Sequence, residues 1–316
     1  MKKRLSSKDV RIAGTEWRSV GREPNVYEAQ TPGDLLGVHA ELIISALLPG
    51  EELRYLLYSP IWDGTWAPFG ISAQPASHAL VVTDSRFLLS RDLHRDDADP
   101  TLSSIPFDQM LWAECGNAHL LGWFSLCYVM ENGPGRISVL FESTGVAFFS
   151  SALRHYRQAL PCRTTPTASC PKTGATWHDL WKCLSKPEAR EVRPLVLEEE
   201  TLMGWFRAGR SWRYRRRFLR TYPECKRPEN LLLWTSVGVI HIIHEPVIRP
   251  EWPSYGLTVR SIPQQAIRIA EVMPDGALRL TLGRDRSVIQ IEVPFDKEYR
   301  PQAESLARSV ERRPLP

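Results

Sequence analysis

One short pattern occurs twice in this chain, and it limits the fold more than any other feature. Ala79-Leu80-Val81-Val82-Thr83 is followed after two residues by Arg86-Phe87-Leu88-Leu89 and, past an acidic loop, by Ser104-Ile105-Pro106-Phe107. Near the other end Leu231-Leu232-Leu233-Trp234-Thr235 is followed after two residues by Gly238-Val239-Ile240-His241, and then by Ser261-Ile262-Pro263. Each copy reads as strand, two-residue turn, strand, loop, and a third strand opened by Ser-Ile-Pro. A spacing of roughly 150 residues is a whole domain, far longer than a solenoid unit, so two similar domains in tandem are expected.

The same residues resemble a known group. A strand ending in Thr83-Asp84-Ser85-Arg86, a strand restarting at once, and Ser104-Ile105-Pro106 opening the next are similar to the bacterial pleckstrin-homology-like (PH-like) domains. The resemblance implies a mainly β (α+β) chain of two PH-like bent sheets, or partly open barrels, each closed by a C-terminal helix. It covers about Leu48 to Leu160 in the first copy. The second copy keeps Thr235 and Ser261-Ile262-Pro263 but has Ser236 and Gly238 where the first has Asp84 and Arg86. No catalytic residue and no cofactor comes with the resemblance.

With 316 residues, 43% of them hydrophobic, the chain can bury two cores without disulfide or metal. It divides into a polar arm (1–30), a first domain (31–160), a Pro- and Thr-rich connector (161–194) and a second domain (195–312). Thr31-Pro32-Gly33-Asp34 starts a helix with the stripe Leu35, Val38, Leu42, Ile43 and Ala46. Strands are expected from Phe107, Leu120 and Arg136, with Glu131 to Gly135 as a hairpin turn. Phe149, Leu153, Tyr156 and Leu160 mark a closing helix. In the connector, Thr176 and Asp179 fit a capping box before one short helix whose face, Trp177, Leu180, Trp181 and Leu184, should dock. Strands near Leu231, Val239, Leu257, Ala266, Ala277 and Val288 then precede a helix carrying Ala303, Leu306, Ala307 and Val310. No apolar stretch follows Lys2-Lys3-Arg4, and Leu120 to Met130 is too short to cross a bilayer. A cytoplasmic protein is expected, with a peripheral membrane position open to it.

Charge is the strongest functional signal. The whole chain carries +4, yet Met203 to Arg227 holds nine cations against Glu224 alone, a local +8 that leaves about −4 elsewhere. Arg210, Trp212, Arg213, Arg215, Arg216, Arg217 and Arg220 are therefore the candidate ligand-binding residues. The PH-like resemblance places them between the first two strands, where relatives of the fold often hold phosphoinositide head groups. Alternation along a strand puts Arg213, Arg215 and Arg217 on one face, where guanidinium groups can fork onto phosphates, while Trp212, Tyr214 and Phe218 would face the core or an interfacial layer. The plain alternative is a solvated, self-repelling strand that discourages aggregation. Two partner classes follow: an anionic lipid surface or phosphate ligand, or a protein or peptide bound at a sheet edge or at the aromatic rim Trp62, Trp66 and Phe69. No specific nucleic acid is expected.

The chemistry of an enzyme is not expected. Serine-nucleophile, P-loop and dinucleotide motifs are absent, and Gly133-Pro134-Gly135 does not open a helix. The acidic segment Arg91 to Pro100 lacks the alternating order of calcium loops. Cys162, Cys170, His178 and Cys183 are separated by seven, seven and four residues, whereas structural zinc ligands come in close pairs, so no metal is assigned. His241 and His244 are three apart on a strand and point to opposite sides.

Overall fold

The computed structural model describes residues 11–12, 15–16, 25–61, 76–93, 99–118, 120–161, 176–217, 220–245, 256–284 and 287–311. The strands are β1 (Arg11–Ile12), β2 (Thr15–Glu16), β3 (Tyr27–Glu28), β4 (Leu53–Ser59), β5 (Ser77–Thr83), β6 (Arg86–Asp92), β7 (Thr101–Pro106), β8 (Met110–Ala118), β9 (Leu121–Met130), β10 (Gly133–Glu142), β11 (Leu202–Ala208), β12 (Ser211–Arg217), β13 (Arg220–Arg227), β14 (Asn230–Thr235), β15 (Gly238–His244), β16 (Gly256–Pro263), β17 (Ile267–Val272), β18 (Ala277–Arg284) and β19 (Ser287–Pro294). The helices are α1 (His39–Ala46), α2 (Val146–Ala159), α3 (Trp177–Cys183), α4 (Lys186–Val192) and α5 (Arg300–Glu311). The chain is mainly β, with antiparallel sheets ordered β3-β4-β5-β6-β7, β10-β9-β8-β16-β15-β14-β11 and β17-β18-β19, and separate hairpins β1-β2 and β12-β13. Among the described residues no sheet closes into a barrel.

The repeated pattern folds the same way twice. Thr83 closes β5, donating its hydroxyl to the Arg86 carbonyl (3.1 Å) and accepting from the Arg86 N–H (3.0 Å). Thr235 closes β14 and makes the same two bonds with Gly238, at 2.9 and 3.3 Å. Ser104-Ile105-Pro106 and Ser261-Ile262-Pro263 end β7 and β16 instead of opening strands. Each runs into a 3-10 turn, Phe107–Gln109 or Gln264–Ala266, so the strand expected from Phe107 starts at Met110. Proline has no N–H to give a ladder and a φ that suits the turn, which makes it an exit signal here.

The motif's polar residues are structural. Arg86 donates to Glu51 at 2.7 and 2.6 Å, to the Ala46 carbonyl at 2.8 Å and to Ser104 Oγ at 2.9 Å, joining the end of α1 to the edge of the first sheet. The bonds from Arg86, with one from the Leu48 N–H, push the Glu51 pKa down to about 2. Gly238 stands in the Arg86 position because a Cβ there would lie 2.3 Å from the Ile262 carbonyl oxygen. Ser261, the counterpart of Ser104, instead accepts from Arg157 of α2 at 3.0 Å.

The two copies share a sheet. β8 pairs with β16, with Glu114 opposite Arg260, so the last strands of the first copy continue directly into the second. One face of this sheet packs through Leu231, Leu233, Ile240 and Ile242 into a core with Phe87, Phe124, Phe149 and Tyr156. The other packs Phe206, Leu232, Trp234 and Val239 against β17 to β19 and α5. Burial on both faces is why β14 reads as a continuous apolar run. α1 covers the outside of the five-stranded sheet over Tyr58, Val81 and Leu88.

Four local expectations change. The helix expected over 31–46 is a 3-10 turn (Pro32–Asp34) and α1, separated by Gly37 at φ 60°. The polar arm ends before residue 30, because Val26, Tyr27 and Ala29 are buried. Gly133-Pro134-Gly135 belongs to β10, paired with Met130, Val129 and Tyr128, which leaves Glu131-Asn132 as the turn. An edge strand tolerates that proline. The connector holds a second helix, α4, whose capping box of Ser185 and Glu188 follows the S-x-x-E pattern with proline in the first turn.

Arg157 is fully buried and donates to the Leu195 carbonyl (3.0 Å), to Ser261 Oγ (3.0 Å) and to the equally buried Glu200. Replacing Glu200 by Gln leaves a buried charge without its counter-ion, so a loss of about 3–5 kcal/mol in urea unfolding is expected. A loss below about 1 kcal/mol would mean the pair is not sealed from water. His241 is buried with neither ring nitrogen hydrogen-bonded, and burial, helped by Arg260, pushes its pKa down to about 3. His78, buried beside Arg91 and His39, is likewise pushed down to about 3. Both stay neutral in the fold but take a proton near 6.5 when unfolded, so their contribution is complete above pH 6.5 and is lost as pH falls toward 3. His241→Leu should raise stability at pH 7 by about 1 kcal/mol and flatten that fall in urea titrations across pH. An unchanged profile would count against the buried neutral imidazole.

Candidate anion-binding hairpin

Between β11 and β14, which are paired partners in the seven-stranded sheet, the chain leaves the sheet and forms β12-β13. Among the described residues β12 pairs with β13 alone: Trp212 opposite Cys225, Arg213 opposite Glu224, Tyr214 opposite Pro223, Arg215 opposite Tyr222, Arg216 opposite Thr221 and Arg217 opposite Arg220. The arginines thus lie on β12 and at the start of β13, between β11 and β14 in the chain. Arg213 is exposed, Trp212 and Arg210 are half-buried, and Tyr214 is 65% exposed. Of the two placements expected for Tyr214, the core is excluded, because among the described residues no second layer covers this two-stranded sheet.

The root of the hairpin is braced by charge. Asp296, just past β19, accepts from the Gly209 N–H (2.7 Å) and from Arg227 (2.7 Å), while Arg227 donates twice to the Gly209 carbonyl at 3.1 and 2.9 Å. Next to it, Arg207 reaches Glu188 at 2.8 Å and Glu229 at 3.5 Å, and His244 Nε2 lies 3.1 Å from Glu188. Arg207 and Arg227 are therefore engaged in holding the hairpin to α4 and the sheet.

The acceptor atoms of Glu188, Glu229 and His244 lie within 4.8 Å of one another, an arrangement able to ligate a cation. The Arg207 guanidinium already bridges both carboxylates, so the cluster is an ion network with its positive charge supplied by the chain. Burial would raise the Glu188 pKa, but bonds from His244, the Ser185 backbone and side chain, and Arg207 hold it at about 2. Of the residues weighed for zinc, His178 and Cys183 are exposed on α3, and Cys162 and Cys170 lie outside the described residues. Trp62, Trp66, Phe69, Phe218 and residues 94–98 of the acidic loop also lie outside them. His241 and His244 do point apart, one into the second core and one to Glu188.

The sequence reading missed Asp296 and the Glu188 network. The capping box Ser185-Lys186-Pro187-Glu188 was a usable signal for α4, whereas nothing local links Asp296 to Gly209. No family model, curated protein or solved structure matches the chain. Asp296→Ala should lower global stability by about 1 kcal/mol and speed amide exchange selectively in β12 and β13. Uniform exchange changes across the second core would contradict a role confined to the hairpin root.

Proposed function

We propose that the chain is a non-catalytic adaptor of two PH-like domains whose β12-β13 hairpin contacts an anionic partner, a membrane surface or a phosphate-bearing ligand. The repeated order supports the fold reading: four strands, three strands and a helix occur as β4 to β7, β8 to β10 and α2, and again as β11, β14 to β16, β17 to β19 and α5. The observation that carries the functional reading is the hairpin's position. A cation-rich two-stranded sheet, braced at its root and joined to no other strand among the described residues, presents exposed Arg213 on one face and exposed Tyr214 on the other. Guanidinium groups supply phosphate recognition, and an exposed tyrosine suits the wet boundary of a lipid layer.

Each arginine near an anionic surface contributes on the order of 1 kcal/mol, so Arg213→Glu, Arg215→Glu and Arg217→Glu together should weaken binding by roughly a hundredfold. Because exposed charges are screened within about 8 Å at physiological ionic strength, binding should fall with added salt. Co-sedimentation with anionic and neutral vesicles at low and high salt, using folded wild type and triple variant, is the measurement. Equal partitioning of both proteins, or none by wild type, would remove the membrane form and favour a protein or peptide partner.

A further inference from the structure

β10 is the end strand of the seven-stranded sheet and, among the described residues, pairs only with β9. A strand edge offers a row of backbone donors and acceptors, a template for another strand. Pro134 limits pairing at one end and the 3-10 turn Ser143–Gly145 at the other, so the pairable stretch lies within 135–142. Its faces are distinct. Ile137, Val139 and Phe141 pack into the first core, while Arg136, Ser138 and Glu142 are exposed.

Antiparallel pairing of this stretch with a second copy of itself, on a two-fold axis at Val139, sets Arg136 opposite Glu142, Ile137 opposite Phe141 and Ser138 opposite Leu140. Core faces meet core faces, and the axis repeats the charge pair. A slip of two residues is the smallest that keeps the faces matched. In one direction it puts Arg136 opposite Leu140, and in the other it carries Arg136 past the strand to Thr144. Only the Val139-centred register joins opposite charges. Arg136 already donates to Glu114 at 2.5 Å while its side chain stays 57% exposed, and a guanidinium has donors to serve a second carboxylate.

We propose that β10 is a homodimer seam through which two copies of this chain extend one continuous antiparallel sheet. The test is sedimentation equilibrium of the full chain across concentration, for wild type and Glu142→Arg, beside a Ser138→Cys/Leu140→Cys variant oxidised in parallel with wild type. The wild type should dimerise reversibly. Glu142→Arg faces Arg136 with a like charge at two places and should weaken the dimer by about tenfold or more. The cysteine pair, directly opposed across the axis, should give a covalent dimer that wild type does not, and adding Glu142→Arg should reduce its yield. A wild type that stays monomeric, or a dimer indifferent to Glu142→Arg and not captured by the cysteines, overturns the proposal.

Discussion

The buried Arg157–Glu200 pair is the constraint on which the arrangement of the two copies depends. Arg157 comes from the closing helix of the first copy, Glu200 from the residues leading into β11, and Ser261 from a strand of the second. Two charges sealed from water are tolerable only when their lone pairs and protons are matched, and here the guanidinium also donates to Leu195. That demand admits few relative placements of helix, connector and sheet. It specifies geometry more than it adds stability.

Around that pair the sheet continues across the junction. Glu114, almost fully buried on β8, takes bonds from Arg136 on β10 and Arg260 on β16, and Arg260 lies over the Trp112 ring with its guanidinium carbon 4.9 Å from the centroid. Cross-strand pairing of charge in a sheet with buried faces fixes register, because a one-residue slip would turn each group to the other face. Among the described residues two packed clusters thus flank one shared sheet, and a third lies on the outer face of the five-stranded sheet. The connector helices complete the first of them: Leu180, Val192 and Leu195 are core residues, and Trp177 donates to the Glu200 carbonyl at 2.9 Å.

Within this frame the β12-β13 hairpin is an added part. Neither large sheet needs it, since β11 and β14 pair directly, yet Asp296, Arg227, Arg207 and Glu188 tie its root down. The ion network at Glu188 belongs to that support.

Period-two patterning, the turns at Thr83 and Thr235 and the helical faces at Phe149 and Ala303 were legible in the sequence, because each depends on neighbours a few residues away. So was the charge of the hairpin. Several local signals were misread: Pro134 lies in a strand because β10 is an edge, and Ser-Ile-Pro closes a strand because the next residues turn. The pairing of β8 with β16, the seating of Arg157 on Glu200 and Ser261, and the grip of Asp296 on Gly209 join residues from about 40 to 150 positions apart, and no local pattern encodes them. Only the tertiary structure decided these, because burying both faces of β14 to β16 requires the first copy to cover one side and the second to cover the other.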